Sequence, residues 1–152
     1  MLRASSRRRA AGLAAAMAAV ALLPMASAAP ASAQTLPAHV WYVQQDGWGN
    51  TKYDVTFNGI VSPDGPEHYT IDGELDGYCS HGAATRQSVT FGYRNWNGTW
   101  HYKSAWCDET PVHISVRGTR HDGGSVEMIV GATSGVFNLY DYGPVEFYKI
   151  GY

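Results

Sequence analysis

Only two of the 152 residues are cysteine, and only seven lysines and arginines follow Arg9. The scarcity of bases excludes two function classes. Nucleic acids and anionic membranes are recognised by strongly basic surfaces, for which seven bases are a poor supply. The sequence also lacks HExxH, and no two of its six histidines stand at the spacing of a helical zinc site. There is no GxSxG, and no Ser, His and Asp are set apart by spacing as a triad. No internal repeat points to a solenoid or propeller. Beyond residue 33 no window has helical periodicity, and no stretch approaches the ~20 apolar residues of a membrane-spanning helix.

What is present begins with a leader. Arg3, Arg7, Arg8 and Arg9 form a basic segment, followed by an uncharged Ala-, Leu- and Val-rich run from Ala10 to Leu23. Ala26-Ser27-Ala28 and Ala31-Ser32-Ala33 are small-x-small cleavage sites. Residues 1–28 therefore read as a secretory signal peptide, with cleavage after Ala33 as the alternative. Ser6 to Ala11 partly matches a twin-arginine signal but lacks the bulky apolar residues that should follow the arginines. Either bacterial-type export route ends outside the cytoplasm, so a secreted, extracellular protein is expected. Losing the four leader arginines leaves seven bases against 13 acids, a net charge of −6. Two cysteines in an oxidising compartment should pair, Cys79 with Cys107.

The rest alternates with the period of β structure. Residues 29–38 read as an extended lead-in and residues 39–152 as one domain. Tyr53, Val55 and Phe57 share one face of a strand; Tyr69, Ile71 and Leu75 share another. Val112, Ile114 and Val116 follow the same rule, as do Val126, Met128 and Val130. Gly73 falls on an apolar face, where a bulge or a close backbone approach is expected. Two final strands, Val136–Tyr142 and Val145–Tyr152, flank Gly143-Pro144. Eight or nine strands at short spacing predict a single antiparallel β-sandwich, with a closed β-barrel as the alternative. The strongest hairpin signal is Asn97-Gly98, between Ser88–Arg94 and Trp100–Trp106, and it predicts a type I′ turn. Trp41, Trp100 and Trp106 lie on strands and are expected in the core.

Three surfaces are candidates for function. If the strand before Cys107 pairs with the one beginning at Val112, His101, Lys103, His113 and Arg117 share one face, joined by Arg94. That would be a basic docking patch on an acidic protein. Trp48 and Trp96 lie in turns beside Asn50 and Asn97, a composition suited to stacking a sugar ring while amides bind hydroxyls. Asp72, Glu74 and Asp76, followed by Gly77, resemble half of a calcium loop. The bidentate acid at its twelfth position is missing, and alternation on a solvated strand explains the acids equally well. No cofactor and no metal are implied. The expected function is a non-catalytic binding protein whose partner is an exported protein, as an inhibitor or a subunit of an exported assembly. A carbohydrate-binding domain for an extracellular polysaccharide is the second reading and a small secreted hydrolase the third.

Overall fold

Alternating apolar residues of two antiparallel sheets face one another in the computed structural model, which describes residues 34–80, 87–120, 124–133 and 139–151. The leader and both candidate cleavage points lie outside these residues. The strands are β1 (Leu36–Gln45), β2 (Thr51–Pro63), β3 (His68–Cys79), β4 (Ser88–Arg94), β5 (Trp100–Trp106), β6 (Val112–Thr119), β7 (Val126–Thr133), β8 (Tyr140–Tyr142) and β9 (Glu146–Tyr148). The first sheet has the order β1-β2-β3-β6. The second runs β5-β4-β7, and β8 and β9 share the far edge of β7. Neither sheet closes on itself, so the fold is a β-sandwich rather than a barrel. Of the two expected final strands, residues 136–138 and 152 lie outside the described residues; within the described ones β8 covers Tyr140–Tyr142 and β9 stops at Tyr148. They are segments of one edge strand, interrupted where Gly143 donates its N–H to the Val130 carbonyl and Pro144 has none to donate.

The core is the set of inward residues that alternation marks. Val55, Phe57 and Val61 of β2, Tyr69, Ile71 and Leu75 of β3, Val89 and Phe91 of β4, and Val126, Met128 and Val130 of β7 are buried. Phe57 stacks on Phe91 across the two sheets, with centroids 4.4 Å apart. The Phe57 ring lies over Gly59 and Gly73, which face each other across β2 and β3. A Cβ on Gly73 would come within 2.7 Å of the ring and 2.6 Å of the Gly59 Cα. The expected close approach at Gly73 is thus a ring lying on bare backbone. Cys79 and Cys107 are bonded, tying the end of β3 in one sheet to the end of β5 in the other.

β1 starts at Leu36, inside the expected lead-in. Pro37 is accommodated because β1 is an edge strand, where a missing N–H breaks no ladder.

The β4–β5 hairpin differs from expectation by one residue, and the difference is large in effect. Asn95 N–H bonds the Thr99 carbonyl and Gly98 N–H bonds the Asn95 carbonyl. Gly98 is left-handed, at φ 84°. This is a three-residue loop, a type I turn followed by a left-handed bulge, not a two-residue type I′ turn. Trp100 therefore pairs with Arg94 and Tyr102 with Gly92. A two-residue turn would have set Tyr102 opposite Tyr93, on the core side. A one-residue shift reverses the facing of every side chain in a strand. Trp100, Tyr102 and Trp106 consequently lie on the outer face of the second sheet, and the expectation of core tryptophans is corrected. Trp41 is also outside, 51% exposed, because odd-numbered residues of β1 turn away from Ala38 and Val40.

Two outcomes test this framework. The bridge spans 28 positions, and reducing it is expected to lower stability by about 3–4 kcal/mol in the chain-entropy description. Urea unfolding with and without dithiothreitol measures this; an unmoved midpoint would mean the sheets hold that end without the bond. Gly98→Ala places a side chain at φ 84° and should cost about 1–2 kcal/mol, read from the same unfolding curves.

Candidate functional site

The outer face of the second sheet is built from five strands, β5, β4, β7, β8 and β9. Across it run the rows Trp100–Arg94–Glu127–Phe147, Tyr102–Gly92–Ile129, Ser104–Thr90–Gly131–Tyr142 and Trp106–Ser88–Thr133–Tyr140. Large rings stand on the flanking strands β5 and β8; between them lie small residues of β4 and β7 (Ser88, Thr90, Gly92, Gly131 and Thr133), with Ile129, Arg94 and Glu127 toward one end. The rings lean inward over those small residues. A Cβ at Gly92 would lie 2.8 Å from the Tyr102 ring, and one at Gly131 would lie 2.7 Å from the Tyr142 ring. Glycine at both positions is what lets the rings settle onto the sheet.

The result is a continuous aromatic surface. Trp100 and Tyr102 have centroids 6.3 Å apart, Tyr102 and Tyr142 5.7 Å, and Tyr142 and Tyr140 5.9 Å. All three pairs are tilted by less than 40°. Tyr102 is 46% exposed and Trp106 40%. Beside the rings lies a chain of hydroxyls. Ser104 donates to Thr90 (3.0 Å), Thr90 donates to the Lys103 carbonyl (3.2 Å), and the Tyr140 hydroxyl contacts Ser88 (3.0 Å) and Ser104 (3.4 Å). These bonds fix Tyr140 and leave Ser104, the exposed member, turned to solvent. Burial, and next to it Tyr102, pushes the Tyr142 phenol up to about 12 from 10.0. It is therefore neutral and able to donate at any physiological pH.

Charge is almost absent from this face. Among the described residues, the only charged ones that the register places on it are Arg94 and Glu127, and they pair at 2.8 Å. Arg94 also donates Nε–H to the Gly98 carbonyl (3.0 Å), which locks the three-residue turn, and its guanidinium sits 5.9 Å from the Trp100 ring centroid. No protein-family model, curated protein or solved structure matches this chain. The geometry alone carries the reading.

The residues singled out in the sequence are dispersed. β5 pairs with β4 and β6 with β3, in different sheets, so the premise of the basic patch fails. Arg94 lies on the outer face of the second sheet. His101 and Lys103 overhang its edge, with His101 stacked on Tyr93 at 5.4 Å. His113 and Arg117 lie on the outer face of the first sheet. His113 Nε2 is 3.3 Å from Asp72, and Arg117 pairs with Asp64.

Trp48 and Trp96 are 92% and 62% exposed, but at opposite ends of the sandwich. The Trp48 turn adjoins the Cys79 end of β3, and the Trp96 turn adjoins its His68 end through the Thr119 carbonyl. The 12 residues of β3 separate them by roughly 35 Å at ~3.3 Å per residue. They cannot form one platform. Each occupies the same kind of loop, for Asp46 N–H bonds the Asn50 carbonyl just as Asn95 N–H bonds that of Thr99. The Asp46 carboxylate takes bonds from the Asn50 side chain and from the Asn50 and Trp48 amides, which hold its pKa low. Asn97 is used similarly, accepting from the Thr99 N–H at 3.0 Å.

Asp72, Glu74 and Asp76 point outward along β3, spaced by the period of a strand rather than converging. Among the described residues no group of three His, Cys, Asp or Glu is placed to hold a metal.

Sequence reasoning passed over Tyr102, Tyr140 and Tyr142. The signal was Ser88, Thr90 and Gly92 on one face of β4, small residues that need large neighbours to cover them.

A pH titration checks the packing of Tyr142 on this face and of the tyrosines on the inner side of the sandwich. Burial raises the pKa values of Tyr42, Tyr53 and Tyr148 as well as that of Tyr142. A phenol raised in the folded state stabilises fully below its unfolded value of 10.0, and that contribution is lost as pH rises toward about 12. Stability should therefore fall between these limits. Phenolate absorbance should lag behind that of the unfolded chain. Coincident folded and unfolded titration curves would show the rings to be loose.

Proposed function

We propose that this protein is an exported, non-catalytic domain that binds a neutral polysaccharide on the aromatic face of its second sheet. The observation that carries this is the run Trp100–Tyr102–Tyr142–Tyr140, whose steps of 5.7–6.3 Å approximate the length of one sugar residue in an extended chain. Rings present apolar faces to sugar C–H groups, and the adjacent hydroxyls meet sugar hydroxyls. The near-neutral face disfavours an acidic polymer, because Arg94 is already paired with Glu127. Export is supported by the leader-like first 28 residues and by the disulfide, a bond that persists in oxidising compartments. The reading through paired basic residues and a protein partner receives less support, since those side chains occupy three surfaces.

Retention on insoluble cellulose, chitin and xylan, each tested separately, examines the proposal. Tyr102→Ala and Trp100→Ala should each weaken retention by about 1–2 kcal/mol, roughly tenfold in affinity. Trp48→Ala and Trp96→Ala should have little effect. Absence of binding to all three polymers, or binding that only the turn tryptophans control, would count against the aromatic face.

A further inference from the structure

The outer edge of β1 is guarded over half its length and open over the rest. Pro37 contributes no N–H at the start. At His39 the Tyr148 hydroxyl takes the backbone N–H (2.9 Å) and donates to the backbone carbonyl (2.7 Å), so one phenol does the work of a neighbouring strand. His39 thus turns both backbone groups away from β2. Outward and inward groups alternate along an antiparallel strand, and the β1–β2 register is unbroken from Leu36 to Gln44. Trp41 and Val43 therefore present their N–H and C=O groups to the same open edge. Among the described residues nothing pairs with them.

That edge borders a cleft of about 460 Å³ lined by His39, Trp41, Tyr42, Val43, Pro144 and Glu146. Most of its lining is apolar. Its one acid, Glu146, is exposed and has no ion-pair partner among the described residues. Asp141 stands close enough to help raise the Tyr42 pKa, so a second negative charge adjoins the cleft. Pro144, on the far wall, offers no N–H to an incoming chain.

We propose that Trp41–Val43 is a strand-addition site for an extended segment of a protein partner in which apolar and basic residues alternate. Main-chain bonds to Trp41 and Val43 would supply affinity. An apolar side chain would enter the cleft against Tyr42 and Pro144, and a basic one would meet Glu146. The Tyr148 phenol closes the groove at His39 and so sets how far the segment can run. This site is separate from the aromatic face and does not depend on its ligand.

The test uses the disulfide-bonded protein and three capped eight-residue peptides. One alternates valine with lysine, a second is the same peptide N-methylated at alternate residues, and a third alternates valine with glutamate. Titration calorimetry should detect binding of the first alone. Val43→Pro, which removes an outward N–H, and Glu146→Lys should each lower that affinity at least tenfold. The thermal midpoint of each variant verifies folding, and the N-methylated peptide tests the backbone bonds without any change to the protein. Failure of the valine–lysine peptide to bind, equal binding of the N-methylated or glutamate peptide, or concentration-dependent dimerisation that Val43→Pro abolishes would each overturn the proposal.

Discussion

One residue of loop length between β4 and β5 decides which side of this molecule is aromatic. The loop has three residues because Gly98 takes the left-handed conformation and because Arg94 and Asn95 bond into it. Asn95 adds a further anchor by accepting the Thr119 N–H at 2.9 Å. With that register, Phe91 faces inward to stack on Phe57, and Gly92 faces outward beneath Tyr102. One residue fewer would turn Trp100, Tyr102 and Trp106 to the other side of β5, where His101 and Lys103 now overhang the edge. Core packing and surface composition are thus set by the same turn.

Much of the sandwich was legible. Period-two alternation located the strands, and the Cys79–Cys107 pair follows from an even cysteine count. The facing of β5 was not legible. Alternation separates a strand into two faces but does not say which is buried, and Trp100 and Trp106 carry the apolar weight that normally marks a core. That inference fails on an edge strand. β1, β2 and β3 pack over β7 and β4, and no strand of the first sheet packs comparably over β5. The basic patch failed for a related reason. Neighbours in sequence, β5 and β6, belong to different sheets, and sequence order gives no sheet membership. The turn tryptophans share a composition and a hydrogen-bonding pattern, but their positions at opposite ends follow only from strand direction.

The two proposed surfaces differ in chemistry as sharply as in position. The face of the second sheet is ring-rich and nearly neutral, a surface for stacking. The edge of β1 offers main-chain groups beside an apolar cleft with an acid at its rim. Four acids, Asp54, Asp72, Glu74 and Asp76, lie on the outside of the first sheet, where Asp72 meets His113; Asp64, just beyond β2, pairs with Arg117. Those contacts join exposed groups and contribute little to stability. They engage side chains that would otherwise be available for docking.

The bond between His39 and Tyr148 joins residues 109 positions apart, and the fully buried Ile150 comes later still. The first strand of the described chain is therefore completed by nearly the last residues. Contacts this remote in sequence delay closure, and all-β chains dominated by them fold in milliseconds to seconds rather than microseconds. A nascent chain that stops before Tyr148 has neither the Ile150 plug nor the guard on β1. Until that stretch has been made, the whole outer edge of β1 is open to pairing with other chains.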